Sequence, residues 1–388
     1  MSEVGAEFAV AIERLAAGGD GVAHAPDGRV VFVPATAPGD RARVRVVQAH
    51  PKWLRAELIA VETPGPGRVE PRCPLVGRCG GCAWQHLDYP TQRSAKAAIL
   101  RDALERIGGL ALPGEVEVVA SPPFGYRGRA RIGTARGVVG YRRPRSHALE
   151  PTSACPVLLP ALEQALAKLA AAPPARDGEI ELAAGDDGGV RAWGPGGLRL
   201  GEPALAIAAG EHLIRVSPGV FFQGNARLRG ALLEAVLEAA GGGSRALELC
   251  AGAGFFTLVL AARFREVTAV ESSPPAVRDL RRNVEAAGVC NVRIECAPLE
   301  GLLASAALRD FAPEAIVVDP PRTGLGAAVA EAIAGLGAAR LVYVSCAPPT
   351  LARDLAVLAQ QGLRLASVRG FDLFPQTPHV EALAVLER

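Results

Sequence analysis

The chain has 388 residues, of which 49% are hydrophobic and 21% charged, so it can form two or three cored domains and lacks the polarity of a disordered protein. Its 42 basic and 40 acidic residues leave a net charge of +2, so only the local distribution of charge is informative about partners. No basic stretch followed by an apolar run opens the chain, and no uncharged apolar segment reaches about 18 residues. We therefore expect a soluble, cytoplasmic protein without a membrane-spanning segment.

Short strand-like runs occupy residues 7–62. They are EFAVAIERL, RVVFVPAT, RARVRVVQA and RAELIAVET, and Gly, Asp and Pro separate them. This pattern predicts a small antiparallel barrel of the oligonucleotide-binding kind, which we assign to a first domain of residues 1–66. Such barrels often bind nucleic acid, but a barrel that binds protein or no ligand has the same pattern. The following TPGPGRVEPRC is typical of a linker.

Three cysteines lie within ten positions in CPLVGRCGGCAWQH, namely Cys73, Cys79 and Cys82. In a reducing compartment, clustered cysteines are more often metal ligands or catalytic thiols than disulfides. Their spacing differs from the paired C-x2-C motifs of structural zinc, and the nearby glycines allow backbone amides close to ligand sulfurs. The stretch therefore predicts a metal-ligand cluster.

The region after the cysteines predicts a helix and then a basic strand. Apolar residues recur at helical spacing in YPTQRSAKAAILRDALERIGG, which indicates an amphipathic helix ending at Gly108. The stretch FGYRGRARIGTARGVVGYRRPR holds seven arginines, three interleaved aromatic residues and no acid. Alternation places Arg127, Arg129 and Arg131 on one side of a strand, where they can neutralise phosphates while an aromatic ring stacks on a base. A solvated strand face is the alternative interpretation.

From about residue 218, strand-like and helix-like segments alternate, which predicts a doubly wound parallel sheet. Ligands of such sheets bind at the carboxyl ends of the strands, and here those ends carry the segment 248–254, Glu271, the segment 319–322 and Cys346. The first turn has Thr257 where a dinucleotide fingerprint has its third glycine. Glu271 suits two ribose hydroxyls. The site therefore favours an adenosine-containing methyl donor over NAD.

Two isolated side chains stand out near the end of the chain. Cys346 closes an apolar strand before the helix-like segment APPTLARD, whose N-terminal amides are expected to stabilise a thiolate. This position favours a nucleophile over a small buried hydrophobe. Glu381 is a lone acid among apolar residues, for which a salt-bridged core glutamate is the simpler interpretation.

Several motifs together resemble one known family. They are DPPRTG, YVSCAPPTLARD, FPQTPHVE, CPLVGRCGGC, SACP, FFQGN and LCAGAGFFTLVLA. In this order they resemble the bacterial RNA uridine-5-methyltransferases, more narrowly the branch that has an N-terminal TRAM barrel and an iron–sulfur cluster and methylates ribosomal RNA. The resemblance extends over essentially the whole chain.

The resemblance implies specific roles for individual residues. It makes Cys346 the nucleophile that adds to C6 of the uracil ring and Glu381 the base that removes the C5 proton. It implies a [4Fe-4S] cluster, with zinc as the alternative metal, on four ligands: Cys73, Cys79, Cys82 and Cys155. It implies S-adenosylmethionine as the methyl donor at seven positions: Gln223, Glu248, Cys250, Gly252, Gly254, Glu271 and Asp319. The nucleic acid partner is expected to be 23S rRNA, with tRNA as the alternative.

The same resemblance divides the rest of the chain into a central iron–sulfur and RNA-binding domain of residues 67–215 and a Rossmann-like methyltransferase domain of residues 216–388. The protein is expected to be a monomer. A catalytically silent RNA-binding protein is a competing hypothesis, against which the joint presence of Cys346, Glu381 and Asp319 argues. A methyltransferase for proteins or small molecules would need neither the barrel nor the arginine strand.

The sequence departs from the family pattern near the expected donor and nucleophile. Glu248 replaces the usual aspartate, Cys250 an aromatic residue and Ala251 a common cysteine. Ala297 and Ala347 stand where the family tends to have polar side chains. These departures predict a donor pocket that keeps its negative charge but lacks a ring.

Overall fold

The structure, a computed structural model, describes residues 3–303 and 306–388, and its N-terminal part is a six-stranded sheet around an apolar core. Its strands are β1 (Glu7–Ala11), β2 (Arg14–Leu15), β3 (Gly21–His24), β4 (Val30–Val33), β5 (Arg41–Ala49) and β6 (Trp53–Thr63). Their order is β1-β5-β6-β4-β3-β2. In β5 exposed arginines alternate with buried Ala and Val, the period-2 pattern of a half-buried strand. The sequence pattern predicts an antiparallel barrel, and the structure differs at one pair of strands, because β4 pairs in parallel with β6.

The central part holds a second six-stranded sheet and a two-stranded ribbon. The elements of this part are β8 (Arg129–Ala135), β9 (Val138–Arg142), β10 (Leu149–Pro151), α2 (Pro160–Ala171), β11 (Gly178–Ala184), β12 (Val190–Trp193), β13 (Arg199–Leu200), β14 (Leu205–Ala209) and β15 (His212–Val216). The sheet order is β10-β9-β8-β11-β12-β13, and α2 packs on it through Leu162 and Leu166. The predicted basic strand is therefore β8, at the middle of this sheet.

The C-terminal part is an eight-stranded sheet with helices on both faces. Its strands are β16 (Gly243–Leu249), β17 (Phe264–Glu271), β18 (Val292–Cys296), β19 (Ala315–Val318), β20 (Arg340–Ser345), β21 (Arg364–Phe371) and β22 (Glu381–Glu387), together with β7 (Glu117–Val119). The order is β18-β17-β16-β19-β20-β22-β21-β7. The parallel sheet is confirmed for β16 to β20, whereas β22 runs antiparallel to both of its neighbours.

The first helix of this part precedes β16, and the others follow its strands. They are α3 (Arg229–Ala240), α4 (Thr257–Ala261), α5 (Pro274–Ala286), α6 (Leu299–Leu303), α7 (Ala306–Phe311), α8 (Ala327–Gly335) and α9 (Pro348–Gln360). Alternate residues of β20 point to opposite faces: Leu341 and Tyr343 pack with α8 and α9, whereas Val342 and Val344 pack with α3. Within the described part of the chain, no helix has both the length and the apolar character needed to span a membrane.

The central segment also contributes to the C-terminal sheet. The predicted amphipathic helix is α1 (Tyr89–Asp102), which widens into π-helical turns over Ala103–Ile107 and ends at Gly108. Leu100 and Leu104 of this helix pack in the same core as α9. Strand β7 pairs with β21. The segment 67–215 therefore supplies elements to the central sheet, the ribbon and the eight-stranded sheet, and α1 packs directly against the eight-stranded sheet.

Candidate active site

Cys346 and Glu381 meet because the last strand of the sheet is antiparallel. Ser345 at the end of β20 pairs with Ala382 in β22, so the next residue on each strand, Cys346 and Glu381, continues this register. The first residue of an antiparallel strand lies at the same sheet edge as the last residue of its neighbour. Cys346 therefore lies beside Glu381 at the edge where the parallel strands also end.

The thiol of Cys346 is partly buried, and neighbouring charges act on its pKa. Burial raises the pKa of the Cys346 thiol, and the neighbouring Glu381 carboxylate raises it further. The guanidinium of Arg322 opposes both effects through its charge and a hydrogen bond to the sulfur. The net shift of the Cys346 pKa is upward, and Arg322 is the group that lowers it. The stabilisation of a thiolate by helix α9 stays a prediction.

Arg322 was not singled out by the sequence analysis, although it lies in the DPPRTG motif. It follows β19 by four residues and acts electrostatically on both Cys346 and Glu381. Its closeness in sequence to the strand-end Asp319 was the feature from which Arg322 could have been predicted as a site residue.

Glu381 is a deeply buried carboxyl group, with 2% of its surface exposed. Burial raises its pKa well above the usual value, Asp319 adds to the shift and Arg322 counteracts it. Burial also raises the pKa of Asp319, against a hydrogen bond from Gln223. Among the described residues Glu381 forms no ion pair, so the salt-bridged core glutamate is not observed there, although the charges of Asp319 and Arg322 both act on it. Two buried acids beside a thiol can accept and hold a proton.

The glycine-rich turn after β16 adopts backbone conformations that favour glycine. Gly252 has a φ of 57° and Gly254 a φ of 95°, and Cys250 takes the same left-handed region with a φ of 63°. A Cβ on Gly254 would lie 2.7 Å from Leu280 Cδ1. The turn brings the amide of Gly252 to 2.9 Å from Glu271 Oε2, which ties the ends of β16 and β17 together.

Glu271 and Gln223, two further expected donor-binding residues, border this turn. Glu271 Oε1 also accepts from the amide of Ser273 at 2.7 Å, so both carboxylate oxygens are oriented by backbone groups. Oε1 also accepts a long bond from Ser272 Oγ at 3.5 Å, whereas Oε2 keeps a lone pair for a hydroxyl. Gln223 approaches from the segment before α3 and reaches Asp319 across the edge.

Glu248 has a buried oxygen that no protein group satisfies. Its Oε2 accepts from Thr257 Oγ1 at 2.5 Å, whereas Oε1 has no hydrogen-bond partner among the described residues. Burial raises the pKa of Glu248 to about 8, and the nearby Asp319 and Glu271 carboxylates contribute. A buried orphan acceptor beside a glycine turn fits a ligand that brings a hydrogen-bond donor with positive charge, such as the amino group of S-adenosylmethionine.

The four cysteines predicted as ligands line one cavity of about 730 Å³. Three come from the loop before α1, and Cys155 follows β10. The amide of Gly81 donates to Cys79 Sγ at 3.4 Å, as the glycine-rich spacing had indicated. Within the described ranges, no three His, Cys, Asp or Glu side chains converge closely enough to hold a single metal ion. The structure therefore brings the four thiols to one place without forming a mononuclear site.

The same cavity continues toward the strand-end edge. Its wall includes Arg127, Arg129 and Arg131, and it reaches Arg322 and Phe374. A single concave surface thus joins the cysteines, the basic strand and the neighbourhood of Cys346.

The basic strand is less free than its own sequence suggested. Arg129 forms an ion pair with Glu181 at 2.9 Å, and Arg131 lies 3.6 Å from Glu179. Both glutamates come from β11, which pairs with β8. The absence of acids within the stretch was therefore a poor guide, because the neighbouring strand supplies them.

Comparisons with known proteins agree with this geometry. A family model described as tRNA (uracil-5-)-methyltransferase matches residues 202–388, and a TRAM domain model matches residues 1–59. An RNA methyltransferase of Gloeobacter violaceus is 34% identical over 99% of this chain and 97% of the relative. A 23S rRNA (uracil(1939)-C(5))-methyltransferase of Chromohalobacter salexigens is 35% identical over 98% of this chain and 89% of the relative.

A solved structure is similar over the same extent. The crystal structure of the Pyrococcus abyssi tRNA (uracil-54, C5)-methyltransferase in complex with S-adenosyl-L-homocysteine superimposes with a TM-score of 0.78 at 25% identity. The match covers 98% of this chain and 100% of that chain. It includes both the N-terminal sheet and the eight-stranded sheet.

Proposed function

The chain belongs to the RNA (uracil-5-)-methyltransferase family and transfers a methyl group from S-adenosylmethionine to C5 of uridine in RNA; we propose that it does so through a covalent bond between Cys346 and the base, with Glu381 as the proton acceptor. The observation that carries this mechanism is the register of β20 and β22, which sets Cys346 beside a buried Glu381. Asp319 and Arg322 complete the surroundings of this pair.

The chemistry explains why a thiol and a carboxylate are both needed. C5 of uracil is a weak nucleophile, so the Cys346 sulfur adds to C6 and the electron pair of the C5–C6 bond moves into an enolate. S-adenosylmethionine supplies an electrophilic methyl group; C5 bonds to this group as its bond to the donor sulfur breaks, and S-adenosylhomocysteine is released. Glu381 removes the proton from C5, the C5–C6 double bond re-forms and the sulfur leaves as thiolate. Arg322 favours the thiolate at both the first and the last step.

Support for the donor site comes from the orphan oxygen of Glu248, the backbone-oriented carboxylate of Glu271 and the Gln223–Asp319 contact. In this proposal Glu248 faces the amino group of the donor and Glu271 its ribose hydroxyls. The glycine turn with Cys250 can approach the donor closely at Gly252, because this residue carries no side chain and the space beside it is open.

The second part of the proposal is a [4Fe-4S] cluster on Cys73, Cys79, Cys82 and Cys155. The support is the donor set itself, four cysteines around one cavity. A mononuclear zinc ion would need each sulfur at about 2.3 Å from the metal, whereas a four-iron cluster holds its ligands further apart. Methyl transfer involves no oxidation or reduction, so the proposed role of the cluster is structural. It would join the loop 73–82 to the segment after β10.

The proposed substrate is 23S rRNA, because relatives that match almost the whole chain carry that specificity in their names. The structurally similar enzyme from Pyrococcus abyssi is a tRNA methyltransferase, so tRNA is the second candidate substrate. Purified enzyme incubated with each unmodified RNA and labelled donor distinguishes them. Incorporation of label into tRNA but not into 23S rRNA would contradict the first assignment.

The mechanism is tested by Glu381→Gln, which keeps the size of the side chain but removes its basicity. We expect methyl transfer to occur and the adduct to persist, because the C5 proton cannot leave. A denaturing gel with labelled donor should show a labelled protein–RNA species and little free methylated RNA. Cys346→Ala is the matched control and should bind the donor yet form neither adduct nor product. Normal release of 5-methyluridine by Glu381→Gln would remove Glu381 from the mechanism.

A further inference from the structure

The loop 372–380, which joins β21 to β22, leads directly to Glu381 and is held by hydrogen bonds from outside the sheet. Lys96 Nζ donates to Asp372 Oδ1 at 2.5 Å and to the carbonyl of Phe374 at 2.9 Å. Gln92 Nε2 donates to Gln376 Oε1 at 2.9 Å. The backbone amide of Gln376 donates in turn to Gln92 Oε1 at 2.8 Å. Helix α1 therefore holds this loop through hydrogen bonds at three positions: Asp372, Phe374 and Gln376.

Gln92 and Lys96 are one helical turn apart, on the same face of α1, and neither has any exposed surface. Burying a lysine and a glutamine is costly compared with packing apolar side chains of the same volume. Further along the same face, Ile99 and Leu100 are buried apolar residues. Stability alone would favour apolar residues at positions 92 and 96 as well. The presence of a glutamine and a lysine there is better explained by their hydrogen bonds to the loop 372–380.

Gln376 is the centre of this contact. It is a non-glycine residue with a φ of 68°, and it is 3% exposed. Its carbonyl accepts from the amides of Ala83 and Trp84 at 3.0 and 2.9 Å. A left-handed conformation of a buried glutamine persists only when its surroundings enforce it. Here the enforcing groups are Gln92 and the segment that follows Cys82.

We propose that Gln92 and Lys96 are positioning residues that hold the loop 372–380 so that the Glu381 carboxylate is aimed at C5 of the bound uracil. The proposal rests on the assigned role of Glu381 as the base. Cys346 and Asp319 follow other strands, β20 and β19. In the described part of the chain, the side chains of Gln92 and Lys96 form no hydrogen bond to either of these strands. Loosening the loop therefore slows removal of the C5 proton much more than the preceding methyl transfer.

The experiment uses the full-length protein purified under anaerobic conditions, with Gln92→Met as the first variant. Methionine fills a similar volume but removes both bonds to Gln376, as well as the bonds from Gln92 Nε2 to the carbonyls of Trp84 and Leu87. In single-turnover reactions with RNA and labelled donor, methyl transfer should stay within about threefold of wild type while product release slows by about tenfold or more. The labelled protein–RNA adduct should accumulate on denaturing gels.

A second variant approaches the contact from the other side. Gln376→Gly keeps the left-handed backbone without strain and keeps the backbone amide that donates to Gln92 Oε1. It deletes the bond from Gln92 Nε2 to Gln376 Oε1, together with the bond from Gln376 Nε2 to the carbonyl of Pro123. It should show the same imbalance between transfer and release. The effects of the two substitutions should be less than additive in the double variant, because both remove the bond between the two side chains. If Gln92→Met does not fold, Gln376→Gly alone decides the matter.

Leu100→Val is the matched control, since Leu100 lies on α1 but packs in the core of the sheet. It should lower thermal stability without trapping adduct. Glu381→Gln is measured in parallel. If Glu381→Gln traps adduct and both glutamine variants release product as wild type does, or slow both steps equally, the positioning role is wrong. If Glu381→Gln itself fails to trap adduct, the assignment of the base is wrong instead.

Discussion

Single residues at the strand-end edge owe their chemistry to burial more than to their neighbours in sequence. Glu248, Asp319 and Glu381 are ordinary acids in the chain, yet burial is the largest cause of the raised pKa of each. In the folded protein they bind protons that the unfolded chain has already released. The cofactor-free enzyme should therefore lose stability as the pH rises.

Glu248 allows this pH dependence to be measured. Its pKa is about 8 in the folded protein against 4.5 as the ordinary value, so the native state binds more protons between these limits. The free energy of unfolding must then fall as the pH rises through this window. In Glu248→Gln the decrease should be smaller than in wild type, by up to several kcal/mol, and not abolished, because Asp319 and Glu381 shift in the same direction.

The measurement is the melting temperature of the cofactor-free protein from pH 5 to pH 9. Glu234→Gln, an exposed position on α3, is the matched control and should keep the wild-type slope. An identical pH slope in wild type and Glu248→Gln would contradict the prediction.

At the scale of elements, the turn between β16 and α4 shows how packing restricts a short segment. Gly254 needs its left-handed φ to bring α4 back onto the sheet, and Leu280 of α5 occupies the space that a Cβ would take. The donor pocket is built on this turn, so its shape depends on the contact between a glycine and a helix that follows the next strand.

Gly254→Ala should therefore destabilise the protein by about 1–3 kcal/mol and weaken donor binding. Denaturant unfolding and calorimetry with S-adenosylhomocysteine measure the two effects. Gly230→Ala, on α3 with open space around it and no positive φ, should be neutral or stabilising. Equal behaviour of the two variants would mean that the turn relaxes without cost.

At the scale of the whole molecule, the loop 73–82 links the N-terminal, central and C-terminal parts. Trp84, just after this loop, donates its indole N–H at 3.0 Å to the carbonyl of Gly19, in the turn between β2 and β3. Its backbone amide bonds to Gln376 in the loop before Glu381. A cluster that fixed the cysteines would hold together segments from all three parts.

Anaerobically purified protein should accordingly be brown and contain about four irons per chain. Cys79→Ser and Cys155→Ser should each bleach the protein and lower its melting temperature. Cys290→Ser is the control, because Cys290 is exposed and lies outside the cavity. Iron and zinc analysis checks the outcome, and one zinc per chain in a colourless protein would contradict the cluster.

Much of the architecture follows from periodicity in the sequence. The alternation of Arg with Val and Ala in β5 and the strand–helix alternation after residue 218 predicted elements that the structure contains, because local side-chain spacing determines which face is buried. The short α6 and α7 and the parallel pairing of β4 with β6 were not predicted. Such features depend on partners distant in sequence.

Residue type and position alone singled out Cys346 and the three clustered cysteines. The resemblance in motif order added the roles of Glu381 and Cys155. Only the tertiary structure decided that β22 runs antiparallel to β20 and so brings Glu381 to Cys346. It also supplied Arg322 to the thiol and paired Arg129 with Glu181 from a strand about 50 residues away. The reason is physical: burial, charge and strand direction act through space, and the chain order does not encode which distant groups become neighbours.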